Sequence, residues 1–156
     1  MNPSTQSIIT ASEQQLDELT QMGLDLWPDN EYDELKHDFL ELLQTPENHV
    51  IYLFNHKDEN VAFLHLSIRT DYVEGSDSTP TGYVEGIYVK PAFRRMGISQ
   101  ALFKRGEKWL KEKGCHQVGS DIEIDNQSSY DFHTNMGFKE SARLIAFIKD
   151  ISNQAD

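Results

Sequence analysis

Residues 82–99 read GYVEGIYVKPAFRRMGIS, and the way this stretch divides decides the fold. Aromatic and β-branched residues crowd Tyr83 to Val89 and predict a strand. On a two-residue period Tyr83, Glu85, Ile87 and Val89 share one face, with Val84, Gly86 and Tyr88 on the other. A carboxylate therefore stands in mid-strand. Beyond Pro91 the chain turns basic and glycine-bearing, and Ile98, Ala101, Leu102, Trp109 and Leu110 then mark an amphipathic helix closed by Gly114. A helix start leaves backbone N–H groups unsatisfied and carries partial positive charge, so this turn suits an anion such as a pyrophosphate. Gly97 lets the backbone approach closely, and Arg94 and Arg95 add charge. The pattern GxxxxGK[ST] is absent, as are the three glycines of a dinucleotide fingerprint, which argues against ATP and NAD.

Working outward, Ser7 to Thr10 predicts a short strand, and Ser12 with Gln15 forms a capping box for a helix carrying Leu16, Leu19, Met22 and Leu26. Asp29 or Asn30 caps a second helix with Leu35, Phe39, Leu42 and Leu43 on its apolar stripe, ending before Pro46. His49 to Phe54 and Val61 to Arg69 flank the polar segment HKDEN as an antiparallel hairpin. Downstream, Val118 to Ile124 predicts a strand, Ser128 to Met136 a helix and Leu144 to Ile151 a last strand. The expected order is βααβββαβαβ, an α/β (α+β) domain with a mixed, mostly antiparallel sheet flanked by helices.

At 156 residues the chain matches one domain, given roughly 100–200 residues per domain. Fourteen Lys and Arg against twenty-six Asp and Glu leave a formal net charge of −12. Such a field repels phosphate backbones and anionic lipid, disfavouring nucleic acid and membrane partners and favouring cationic small molecules or basic protein segments. The one cysteine, Cys115, fits a reducing compartment, and no CxxC or HxxxH spacing offers a metal site. The first residues lack a basic, then apolar, leader pattern, and no long apolar run occurs, so a cytoplasmic location is expected.

Arg94-x-x-Gly97-x-Ser99 resembles the R/Q-x-x-G-x-G/A motif of the GNAT superfamily of acetyl-CoA-dependent N-acetyltransferases, preceded as in that family by a strand ending in V-x-P at Val89 and Pro91. Ser99 stands where the family usually has Gly or Ala. A second family signature follows in the right order, Asn126 and then SSYDFHTNMGF ending at Gly137 and Phe138. Within the superfamily, the runs LDLWPDNEYDEL, SIRTDYVEGSDSTPTGYVEGIYV, EKWLKEKG, SDIEIDNQSS and FIKDI are similar to aminoglycoside 6'-N-acetyltransferases over nearly the whole chain.

The resemblance implies a single GNAT domain over residues 1–156, acetyl-CoA as co-substrate without a metal, and acetylation of the 6'-amino group of aminoglycoside antibiotics, conferring resistance. It assigns the pyrophosphate to Arg94, Arg95, Met96, Gly97, Ile98 and Ser99, and the pantetheine arm to the strand end at Ile87, Tyr88 and Val89 and to Asn126. Such a transfer needs no nucleophile on the protein, only orientation, polarisation of the thioester carbonyl and removal of a proton. Glu85 and Asp121, on neighbouring strands, are candidates for binding the substrate's ammonium groups and taking that proton, and which is the base stays open. Trp27 and Tyr72 match aromatic positions of the subgroup; Trp27 either packs on a sugar ring or closes the first helix onto the core. His133 stands where many GNAT enzymes have a tyrosine acid, and it either donates a proton to the thiolate, bonds the cofactor sulfur or packs as a neutral side chain. Acetylation of a polyamine or peptide amine, or binding without turnover, would also suit an acidic site. Too little chain after Phe138 for two strands leaves an exposed sheet edge, which predicts a homodimer.

Overall fold

The computed structural model describes residues 6–152, in two compact units divided after Asp121. The first carries β1 (Gln6–Thr10), α1 (Leu16–Leu26), α2 (Tyr32–Leu43), β2 (His49–His56), β3 (Glu59–Arg69), β4 (Thr81–Val89), α3 (Ile98–Glu112) and β5 (Val118–Gly119). The strands form one sheet in the order β1-β2-β3-β4-β5, antiparallel throughout except for the parallel β4–β5 pair.

Local signals explain most of these elements. The Ser12 capping box forms, with Gln15 Oε1 accepting from Ser12 N at 2.8 Å. It opens a single 3-10 turn, Glu13–Gln15, that runs into α1. α2 is capped by Glu31, whose carboxylate accepts from Glu34 N at 3.1 Å, and not by Asp29 or Asn30. Asn30 lies instead in a turn just upstream, its main-chain and side-chain N–H groups both donating to Trp27 O. The β2–β3 hairpin turns through Lys57 and Asp58, both left-handed at φ 50° and 67°, the geometry that matches the right-handed twist of two paired strands.

Each sheet face has its own cover. Ile51, Leu53, Phe63 and Tyr88 pack with Leu16, Leu19 and Met22 of the first helical segment and with Leu35 and Phe39 of α2. On the opposite face α3 lies close to β3, so that a methyl group added at Gly106 would meet Leu66 and Leu64.

The β3–β4 register contains the feature that shapes the site. His65 pairs with Gly86 and Leu66 with Val84, so Glu85 is the extra residue of a β-bulge. A bulge resets the alternation. Tyr83, opposite Ser67, therefore shares the face of Gly86 and Tyr88, while Val84 lies with Ile87 and Val89. This corrects the strict two-residue pattern expected from sequence, which put Tyr83 on the face of Ile87 and Val89.

The second unit holds α4 (Gln127–Asn135), capped by Asn126, whose side-chain oxygen accepts from Ser129 N at 3.2 Å. Gly137, at φ 93°, follows its end. The strand expected over 118–124 is only Val118–Gly119 long, its ladder with β4 ending at Tyr83 and Gly119. The last expected strand, 144–151, does not form. No ladder partner for it exists among the described residues, and the observed order is βααβββαβα. Its apolar side chains stand in solvent, with Phe147 90% and Ile148 96% exposed.

Candidate active site

β4 is paired on both sides only at its start. Its ladder with β5 is confined to Gly82 with Val118 and Tyr83 with Gly119. From Val84 onward, the edge turned away from β3 has no strand partner among the described residues. Lys90 N donates to Val61 O at 2.9 Å, so by alternation the main-chain groups of Ile87 and Val89 face that open edge. One is already taken, as Arg94 Nε donates to Val89 O at 2.8 Å. Arg94 also lies over the Tyr88 ring, 5.7 Å from its centroid, and so clamps the turn back onto β4.

After the 3-10 turn Pro91–Phe93, Arg95 and Gly97 are left-handed at φ 64° and 77°, and Gly97 caps α3. Left-handed residues just before a helix gather successive N–H groups into a concave anion-binding nest. A methyl group on Gly97 would meet nothing within 4 Å, so glycine is needed there for its backbone angle and not for lack of room. Ile98 is buried beneath the turn, while Arg95 and Met96 are exposed and Ser99 is half-buried.

At the bulge the polar groups converge. Glu85 Oε1 accepts from Ser67 Oγ at 2.7 Å, from Arg69 Nη2 at 2.8 Å and from Arg69 Nε at 3.3 Å. Burial raises the Glu85 pKa, but the hydrogen bonds from Ser67 and Arg69 and the guanidinium charge outweigh it and hold the carboxyl below its ordinary value. The Arg69 guanidinium lies flat over Tyr83, 3.5 Å from the ring centroid. The Tyr83 hydroxyl donates to Asp121 Oδ2 at 2.5 Å. Burial first, then that bond, pushes the Tyr83 pKa up to about 12. Glu85 and Asp121 are thus gathered around one tyrosine, although Asp121 lies two residues beyond β5. Behind Glu85, His65 Nε2 is 3.1 Å from His49 Nδ1, and burial, helped by His49, lowers the His65 pKa to about 4.

Trp27 packs over the bulge. A methyl group on Gly86 would fall 2.6 Å from the indole, which also contacts Phe63 and Phe39 at centroid distances of 6.1 and 6.5 Å. It remains half-buried, so part of the ring serves the core while part stays accessible beside Gly86. Tyr72 is 78% exposed in the loop after β3, its hydroxyl donating to Glu74. In the second unit the Asn126 side-chain oxygen is spent on capping, which leaves its amide N–H groups as the donors for a ligand. His133 Nδ1 lies 2.7 Å from Ser129 O. A carbonyl only accepts, so Nδ1 carries the proton and Nε2 of the neutral ring is an acceptor. Proton donation from Nε2 would require the imidazolium. The ring packs edge-on against Phe138, 5.0 Å between centroids.

Sequence reading passed over Ser67, Arg69, Tyr83 and the His49–His65 pair. Ser67 and Arg69 were recoverable, since residues two apart on a strand share a face. Tyr83 was not, because its side depends on the bulge. Cys115 is buried, and burial raises its pKa, as suits an unreactive thiol.

Comparison with known proteins agrees with this geometry. The acetyltransferase (GNAT) family pattern matches residues 13–138. An aminoglycoside N(6')-acetyltransferase type 1 from Acinetobacter haemolyticus is 36% identical over 146 residues, covering 93% of this chain and 99% of that protein. Among solved structures, the aminoglycoside antibiotic 6'-N-acetyltransferase AAC(6')-IG from Acinetobacter haemolyticus superposes with a TM-score of 0.89 at 32% identity, over 94% of this chain and 99% of that one. AAC(6')-Iy, in complex with the bisubstrate analogue CoA-S-monomethyl-acetylneamine, gives 0.88 at 31% identity, over 93% and 98%. The family pattern over residues 13–138, with a relative 36% identical over nearly the whole of both chains, makes the chain a member of the acetyltransferase (GNAT) family, in its aminoglycoside N(6')-acetyltransferase branch.

Proposed function

We propose that the protein transfers the acetyl group of acetyl-CoA to the 6'-amino group of aminoglycosides and so inactivates these antibiotics. The carrying observation is the division of β4. One end offers an unpaired edge running into the nest before α3, and the other presents Glu85 and, through Tyr83, Asp121. The nest formed by Arg95, Met96, Gly97, Ile98 and Ser99 receives the pyrophosphate, with Arg94 holding the turn in place. The free edge at Ile87 and Val89, with Tyr88 between them, pairs with the pantetheine arm as an added strand does. Backbone N–H groups at Ile87 and Val89 polarise the thioester carbonyl.

The neutral amine attacks the carbonyl carbon. A C–N bond forms, the C–S bond breaks, the thiolate leaves and the nitrogen loses a proton. Glu85 takes that proton directly or through water, and Asp121 attracts the other ammonium groups. Trp27 and Tyr72 border the sugar. In support of one domain over 1–156, the family pattern crosses the boundary between the two units. The exposed apolar run 144–151 supports a homodimer in which a second copy supplies its missing strand partner. A cytoplasmic location is in keeping with a single buried thiol, and no described helix is long and apolar enough to cross a membrane.

Incubation with acetyl-CoA and kanamycin or tobramycin, followed by NMR mapping of the product, tests the reaction. Acetylation at the 6' nitrogen is the expected result. Turnover only with polyamines or peptides, or binding without CoA release, would overturn it. A dimeric mass by light scattering at micromolar concentration is expected, and a monomeric one would remove the second copy.

A further inference from the structure

We propose that Arg69 is a positioning residue of the acceptor site. With Ser67 it fastens Glu85 through the single oxygen Oε1 and leaves Oε2 as the one carboxylate oxygen open to the incoming amine. This rests on the reading of Glu85 as the proton-accepting group.

Three donors converge on Oε1, one from Ser67 and two from Arg69, and none among the described residues reaches Oε2. Carboxylate oxygens accept bonds in several directions, so this one-sided arrangement leaves the second oxygen's capacity unused by the protein. A bulge residue is aimed by its local backbone kink and lacks a cross-strand partner to hold its side chain. Glu85 is instead held by side chains of the adjacent strand. Arg69 is itself held, with its guanidinium stacked on Tyr83 and Tyr83 bonded to Asp121. The side chains of Arg69 and Glu85 are 41% and 26% exposed, so the pair is open to solvent and not sealed in the core. The resident guanidinium also neutralises Glu85, so that Asp121 supplies the unpaired negative charge nearby. The groups facing Glu85 are Ser67, Arg69 and His65 from β3, His49 from β2, Tyr83 from β4 and the Trp27 ring over Gly86. Arg69 is the only one of these that carries a full positive charge at neutral pH.

The test compares Arg69→Gln, Arg69→Lys, Glu85→Gln and the Arg69→Gln/Glu85→Gln double variant by kcat, KM and the pH profile of kcat/KM, with circular dichroism and CoA affinity measured alongside. Arg69→Gln is expected to lower kcat on the order of tenfold with CoA affinity intact, and to raise the acid limb by about one pH unit, the size of shift lost with a neighbouring opposite charge. Arg69→Lys restores the limb because it keeps the charge. In the Glu85→Gln background the Arg69 change costs nothing further. An unmoved acid limb in Arg69→Gln, or a full additional loss in the double variant, overturns the proposal while Glu85 keeps its role. A Glu85→Gln enzyme within twofold of the parent overturns the underlying reading as well. If Arg69→Gln does not fold, Ser67→Ala decides: a raised limb supports the anchor, and an unchanged one sinks it.

Discussion

The two ends of β4 each carry a glycine and a tyrosine, Gly82 and Tyr83 at one and Gly86 and Tyr88 at the other, but have opposite surroundings. At Gly82 and Tyr83 the strand is paired on both sides, and its side chains enter a polar network whose members fix one another. From Val84 to Val89 it is paired on one side only, which leaves the main-chain groups of Ile87 and Val89 on an open edge. The contrast teaches that one strand can present two kinds of surface, with side chains set by register at one end and bare backbone at the other. The bulge at Glu85 marks the transition.

The sharpest way to break the contrast is at the backbone end. Gly97→Trp forces a bulky side chain onto a left-handed position and into the nest, and detectable CoA binding by calorimetry should vanish while circular dichroism stays unchanged. Undiminished binding would detach the nest from the cofactor. At the side-chain end, Glu85→Gln should reduce kcat about 100-fold, the low end of general-base contributions, without altering CoA affinity. A parallel loss of CoA affinity would show that the two ends do not act separately.

Trp27→Ala removes the ring packed on Phe63, Phe39 and Gly86. It should cost about 3 kcal/mol in chemical denaturation, the low end for a large aromatic, and raise the acceptor KM as well. A change in KM with no loss of stability would argue that its core role is minor.

His65 sharpens the comparison through pH. Its folded pKa of about 4 lies below the ordinary histidine value of 6.5, so between those values the unfolded chain binds a proton that the folded chain refuses, and stability falls as pH drops through that window. From pH 7 to pH 5 the linkage amounts to about 2 kcal/mol, measurable by denaturant titration and removed in His65→Leu. A pH-independent midpoint in the parent would contradict the buried neutral imidazole. The smallest effect is expected for the exposed Asp121: Asp121→Asn should raise KM for the acceptor about two- to fivefold, in line with surface charge pairs, with kcat little changed.

Much of this architecture was legible in the chain. The capping box at Ser12, the turn before α3 and the helix-ending glycines are local devices whose residues act on backbone within a few positions of themselves. The failures share a different cause. Asp29 and Asn30 are good caps, yet the helix begins after Glu31, whose own carboxylate takes the cap. The run 144–151 has the side chains of a strand, but a strand also needs a neighbour, and propensity does not supply one.

The amino-acid sequence by itself determined the order of elements up to α4, the glycine turn before α3, the acidic charge and the family motifs, because each depends on short-range backbone preference or on composition. Only the tertiary structure decided that Glu85 is a bulge residue, that Arg69 holds it by one oxygen, that Tyr83 joins it to Asp121 and that Trp27 lies over Gly86. These depend on the register between β3 and β4 and on what the helices lay across them. Register is settled by the sum of contacts over whole strands, so no single stretch of chain encodes it.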